Sequence, residues 1–155
     1  MQPGRHAHIS VADAALEQAA GALDAFCAAE RLPEHVVWRL RVALDEIVAN
    51  IVAYGAQGAS PAHPSAVIDV WLSREGEVVE ITVADDGPAF NPLLRPDPDV
   101  TLPLEKRVPG GLGIALVKSL MDEVQYERTS RNVLTIRKRI ETPPEGNTET
   151  DGHPT

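Results

Sequence analysis

The chain has 155 residues, 43% of them apolar, which fits one globular domain with a sizeable core and leaves no room for a second. With 14 Lys and Arg against 23 Asp and Glu, a net charge of -9, and no basic cluster longer than Arg137-Lys138-Arg139, the composition argues against a nucleic-acid partner. Cys27 is the only cysteine, so an internal disulfide is excluded. No signal peptide or membrane span is visible, because Asp13, Glu17 and Asp24 interrupt the apolar run after Val11; the expected location is the cytoplasm.

In chain order, residues 1–7 are polar and read as a flexible N-terminus, with His6 and His8 two apart and no third ligand nearby in sequence. Residues 8–12 read as the start of a strand. Residues 14–32 place Leu16, Ala19, Ala20, Leu23, Phe26 and Cys27 at helical spacing, which makes Cys27 a small core residue. Pro33 suits the first turn of a second helix and Glu34 its positive end; the apolar pattern then runs through Val37, Leu40, Leu44, Ile47, Val48 and Ile51 to Gly55. A loop rich in Gly and Pro follows over residues 55–65.

Residues 66–73 and 78–84 alternate and are joined by "REGE", the pattern of a hairpin. Residues 88–109 hold six of the 13 prolines and show neither period, as expected of a lid or binding loop. Gly110 opens a third helix, "GGLGIALVKSLMDEV", and residues 124–127 and 133–140 form a second hairpin across "RTSRN". Residues 141–155 are acidic, with almost nothing to bury, and read as a disordered tail.

Three short segments carry chemistry. In "LDEIVAN", Glu46 and Asn50 are four apart and project from one helix face, beside the small Ala43, Ala49 and Ala53, while Asp45 points about 100° away. An arbitrary pair at this spacing belongs to a solvated face. In "VADDGPAFNP", Asp85-Asp86-Gly87 ends an alternating run and by itself reads as a turn. In "PGGLGIALV", three glycines in four residues precede a helix, leaving backbone N–H groups free to face phosphate or, equally, forming a simple hinge. Neither GxxxxGK[ST] nor a GxGxxG following a strand occurs.

Taken in order, the E-x-x-x-N helix, the strand ending in D-x-G and the Pro-rich loop leading into G-x-G resemble the GHKL ATPase family over most of residues 9–140. The segments "ALDEIVANIVAYG", "VADDGPAFNP" and "GGLGIALVKSLMDEVQYE" are most similar to its anti-sigma factor serine kinase branch. That resemblance implies a two-layer α/β sandwich over residues 8–140, a mixed and largely antiparallel sheet with three helices on one face, and residues 88–109 as an ATP lid. It further implies ATP and Mg²⁺ as cofactors, Glu46 as general base, Asn50 as the Mg²⁺ ligand and Asp85 as the residue that bonds the adenine amino group. Gly87 would lie close to the base. Gly111, Leu112, Gly113 and Ile114 would border the phosphates, with Lys106 and Arg107 as candidate lid cations.

Two positions depart from the family pattern: Ala89 stands where the second glycine of D-x-G-x-G is usual, and Tyr54 where a basic residue is frequent. The function implied is an ATP-dependent serine/threonine kinase that binds a sigma factor and phosphorylates a STAS-domain anti-anti-sigma antagonist, with a homodimer possible. The alternatives are an ATP-gated binding protein without kinase activity and a histidine-kinase fragment. The last is disfavoured because no dimerisation helix with an acceptor histidine precedes the domain; His35 lies in the second helix itself.

Overall fold

The computed structural model describes residues 4–10, 14–58, 67–94 and 111–140. Strand β1 (Arg5–Ser10) leads into helix α1 (Ala15–Ala29) and helix α2 (Glu34–Gly58). The hairpin β2 (Val67–Glu75) and β3 (Val78–Asp85) follows, then a single 3-10 turn (Pro92–Leu94), helix α3 (Gly111–Leu120) and the hairpin β4 (Glu123–Arg128) and β5 (Asn132–Arg139). The five strands lie in the order β1-β2-β3-β5-β4. Every pairing is antiparallel, so the sheet is simpler than the mixed one expected.

The period-two alternation of each strand decides which side is buried. Val79, Ile81 and Val83 of β3 face the helices, and the register continues their rows into Leu72 and Val70 of β2 and into Ile136 and Leu134 of β5. Against that face pack Leu23 and Phe26 of α1, Leu40, Leu44, Ile47 and Val48 of α2, and Ile114 and Val117 of α3. The result is two layers around one core. Helix α2 is the middle helix, packed on α1 along one flank and on α3 along the other.

Cys27 belongs to this core, and burial together with the nearby Asp24 carboxylate pushes its thiol up to about 11, which makes it a poor nucleophile. The turn between β2 and β3 places Gly76 at φ 58, a conformation that glycine adopts without steric cost.

Several boundaries differ from expectation for tertiary reasons. Strand β1 starts at Arg5, so residues 5–7, expected to be flexible, pair with β2 from Arg5↔Leu72 onward; Ala7 and Ile9 point inward and His6 and His8 outward. Helix α2 continues past Gly55 to Gly58. Helix α3 stops at Leu120, short of the expected end, because the Asp122 N–H leaves the helix to donate to Arg137 O of β5 at 2.9 Å. The part of the lid over residues 95–110 and the tail 141–155 lie outside the described residues, as do Lys106 and Arg107.

On the open face of the sheet, His6 stacks on Trp71 with ring centroids 4.9 Å apart. His6 and His8 both bond Asp69 Oδ1, at 2.8 and 2.7 Å, so one carboxylate oxygen of β2 engages both rings. The Arg131 guanidinium holds the other Asp69 oxygen at 2.8 Å. Burial alone would raise the Asp69 carboxyl, but the bonds from His8, His6 and Arg131 and the Arg131 charge outweigh it and bring the group down to about 2.

Candidate functional site

The inward rows through Ile81 and Val83 are apolar from β2 to β5; the row through Val79 carries Arg74 and Lys138, and the last row is polar. There Ile68 is followed by Asp85, Asn132 and Arg128 across β3, β5 and β4. The alternation that buries Ile81 and Val83 therefore also turns Asp85 inward, and Asp85 and Asn132 are 8% and 7% exposed. Buried polar groups at core positions need partners. Asp85 Oδ1 accepts from the Gly87 N–H at 3.0 Å and from Asn132 Nδ2 at 3.1 Å. No donor among the described residues reaches Asp85 Oδ2.

Asn132 is the hub of this end of the sheet. Its Nδ2 also donates to Pro88 O at 2.9 Å, and its Oδ1 accepts from the Phe90 N–H at 3.2 Å, Tyr126 Oη at 2.6 Å and Arg128 at 3.2 Å. One amide thus ties the turn after β3 to β4 and β5. Arg128 adds a bond to Gly87 O at 3.0 Å. Gly87 itself is required by space: a Cβ there would lie 2.9 Å from Asp85 Oδ1. Asp86, by contrast, is exposed and accepts from the Val67 N–H at 2.7 Å, outside the site.

Above these residues lies a cavity of about 340 Å³, within the range of small-molecule sites. Asp85, Asn132 and Asn50 supply its polar groups; Ile47 and Ile51 of α2, Ile114 of α3, Val83, Leu134, Phe90 and Tyr126 supply its apolar walls. Ala89, which stands where the family pattern has a glycine, is exposed and lies at the edge of the cavity.

Glu46, one turn before Asn50 on α2, is not part of that cavity wall. Its carboxylate lies against Gly113 near the start of α3, where a Cβ would collide with Glu46 Oε2. The other side of Glu46 opens onto a separate groove lined with Leu16 and Glu17 of α1 and with Arg41, Asp45 and Ala49 of α2. Asp45 is engaged by Arg41 at 3.3 Å.

The fold thus brings Glu46, Asn50, Asp85, Gly87, Gly113 and Ile114 into one region. Gly111 and Leu112 begin α3 beside them, while the side chains of Leu112 and Tyr54 lie outside the described residues. Sequence reading passed over Asn132, which looked like the last residue of the "RTSRN" turn; its only local signal is Asn before an apolar run, and that is a turn signal too.

The arrangement has the features that a nucleotide asks for: an apolar slot, a buried carboxylate with an oxygen to spare, and a glycine-opened helix start beside it. Asn50 offers a hard oxygen donor that suits Mg²⁺. Among the described residues no group of three or more His, Cys, Asp and Glu is arranged to hold a metal, so Mg²⁺ would need waters or phosphate oxygens to complete its shell.

The sequence profile of the histidine kinase-like ATPase domain matches residues 9–138. The chain belongs to that family. It is similar to the serine/threonine-protein kinase BtrW of Bordetella bronchiseptica, 29% identical over 99 residues that cover 64% of this chain and 67% of BtrW. Its fold is like that of the crystal structure of the RsbU and RsbW domains of Rv1364c from Mycobacterium tuberculosis, with a TM-score of 0.65 and 17% identity over 92% of this chain. The match spans 34% of that longer protein.

Proposed function

We propose that this protein is an ATP-dependent serine/threonine-protein kinase of the anti-sigma factor type, which binds a sigma factor and phosphorylates a STAS-domain antagonist. The single observation that carries the reading is the division of labour at Asp85: Oδ1 is held by Gly87 and Asn132, and Oδ2 is left to the cavity. The similarity to the kinase BtrW and the motifs of the anti-sigma kinase branch support the choice of reaction and partners.

In this reading Asp85 Oδ2 accepts from the exocyclic amino group of adenine, and Ile51, Ile114 and Leu134 enclose the ring. The phosphates lie toward the start of α3, where the absence of a side chain on Gly113 leaves backbone N–H groups accessible and the helix dipole favours negative charge. Asn50 would hold Mg²⁺, which when bound screens the phosphate charge.

Glu46 takes the proton of the acceptor hydroxyl as its oxygen forms a bond to the γ-phosphorus and the bond to the ADP oxygen breaks. The chain contributes mainly position: one base, one clamp on adenine and one helix start.

Calorimetric titration with ATP, in Mg²⁺ and again in EDTA, tests the site. Saturable binding that weakens in EDTA and falls at least tenfold in Asp85→Asn is expected. The asparagine can keep an oxygen toward Gly87 and Asn132 but then presents an NH₂ to the adenine amino group, so the fold persists while recognition is lost. Glu46→Ala should keep ATP binding and lose transfer to a STAS-domain serine. Wild-type protein that ignores millimolar ATP would sink the kinase reading.

A further inference from the structure

The side chain and the backbone of Asp85 are held from opposite faces of the sheet. Asn132 Nδ2 takes Oδ1 at 3.1 Å on the helix side. Arg131, the residue before it, emerges on the open face, as neighbours along an extended chain do, and its Nη2 donates to Ala84 O at 3.3 Å. That carbonyl belongs to the planar peptide group joining Ala84 to Asp85, so Arg131 grips the plane from which the Asp85 backbone continues.

The same Nη2 donates to Val67 O at 3.2 Å, while the Val67 N–H donates to Asp86 Oδ1 at 2.7 Å. The start of β2 is thereby tied both to the residue after Asp85 and to the guanidinium that holds the peptide before it. A single side chain from the turn between β4 and β5 spans β3 and reaches β2.

The guanidinium is itself aimed. Its Nη1 meets Asp69 Oδ2 at 2.8 Å, and Asp69 is 6% exposed. His6 and His8 of β1 occupy Oδ1, which leaves Oδ2 to Arg131. None of His6, His8, Asp69 and Arg131 is in the wall of the nucleotide cavity. A planar guanidinium can serve a carboxylate and two carbonyls at once, a geometry that the compact ammonium of lysine does not reproduce.

We infer that Arg131 is a positioning residue: aimed by Asp69, it holds the Ala84–Asp85 peptide so that the Asp85 carboxylate keeps its direction toward the cavity. It touches no nucleotide and acts through Asp85. The inference rests on the adenine role proposed for Asp85, but the grip on the backbone does not depend on nucleotide.

The test uses the full chain as wild type, Arg131→Lys, Asp69→Asn and the double variant. Calorimetry gives the Kd of ATP and of ADP well below the melting temperature of each protein, and hydrogen exchange without nucleotide gives the protection of the amides of residues 85–87. Lysine keeps a positive charge beside Asp69 and gives up the two carbonyls.

Arg131→Lys is expected to raise the Kd of ATP and of ADP by the same factor, about fivefold, because the lesion lies at the base and not at the phosphates, and to speed exchange at residues 85–87. Asp69→Asn should weaken both nucleotides about threefold and add little in the double variant, since it acts through Arg131. A role confined to stability would lower Tm and leave both Kd values unmoved. Unchanged Kd values in Arg131→Lys, a loss confined to ATP, or fully additive effects in the double variant overturn the inference and leave the nucleotide site standing. Wild-type protein that binds neither nucleotide, with exchange still faster in Arg131→Lys, would do the reverse, upholding the grip on Asp85 and removing the nucleotide reading; unchanged exchange overturns the inference in either case.

Discussion

Asn132 Nδ2 donates to Asp85 Oδ1 at 3.1 Å, joining two residues that lie directly opposite each other on β5 and β3 although 47 positions separate them in sequence. The same amide holds Pro88 O, the Phe90 N–H and Tyr126 Oη. Asn132→Ala would leave several of these groups without partners at a site 7% exposed, at about 1–3 kcal/mol in stability. The measurable outcome is a lowered denaturation midpoint together with at least a tenfold loss of ATP affinity, because Asp85 loses the bond that orients it. Undiminished ATP binding would show that Gly87 alone positions the carboxylate.

Gly87→Ala addresses the other bond to the same oxygen. The new Cβ would sit 2.9 Å from Asp85 Oδ1, and that atom cannot swing away without breaking its bonds to Gly87 and Asn132. ATP affinity is expected to fall about tenfold, or about 1.4 kcal/mol. Titration calorimetry reads this directly; an unchanged Kd would mean that the turn relaxes freely.

At Gly113 the neighbour is the flexible end of Glu46, so a methyl group displaces the candidate base rather than the backbone. Alanine also favours a helix over glycine by about 0.5–1 kcal/mol. Gly113→Ala should therefore keep or raise Tm while lowering turnover at least tenfold. Parallel melting and phosphotransfer assays separate the two effects, and full activity with a higher Tm would remove Glu46 from the mechanism.

Asp69 makes stability depend on acid. Its folded value of about 2 lies below the ordinary 3.8, so the unfolded chain takes up its proton first as pH falls. The contribution is complete above about pH 4 and disappears as pH falls toward about 2, with a ceiling of about 2 kcal/mol. Denaturant unfolding of wild type and Asp69→Asn across this window should show a stability gap at pH 5 that narrows toward pH 2. A gap independent of pH would mean that the carboxylate charge is not what Arg131, His6 and His8 recognise.

Much of this molecule is local and therefore legible from sequence. The helical spacing of Leu23, Phe26, Leu40, Leu44 and Ile47 and the alternation of Val79, Ile81 and Val83 set the element types, because each side chain's face follows from its own backbone period. Candidate site residues could be named from segments that are each continuous, as with Glu46 and Asn50 on one turn of α2. Sheet pairing is not local. It decided that β1 begins at Arg5, that α3 ends where Asp122 bonds Arg137 O, and that Asn132 stands opposite Asp85. It also put Asn50 on the cavity and Glu46 on a groove shared with α1, a separation set by how α2 lies between α1 and α3. Periodicity fixes which way a residue faces on its own element; only packing, which places one element's face against another, fixes what it meets.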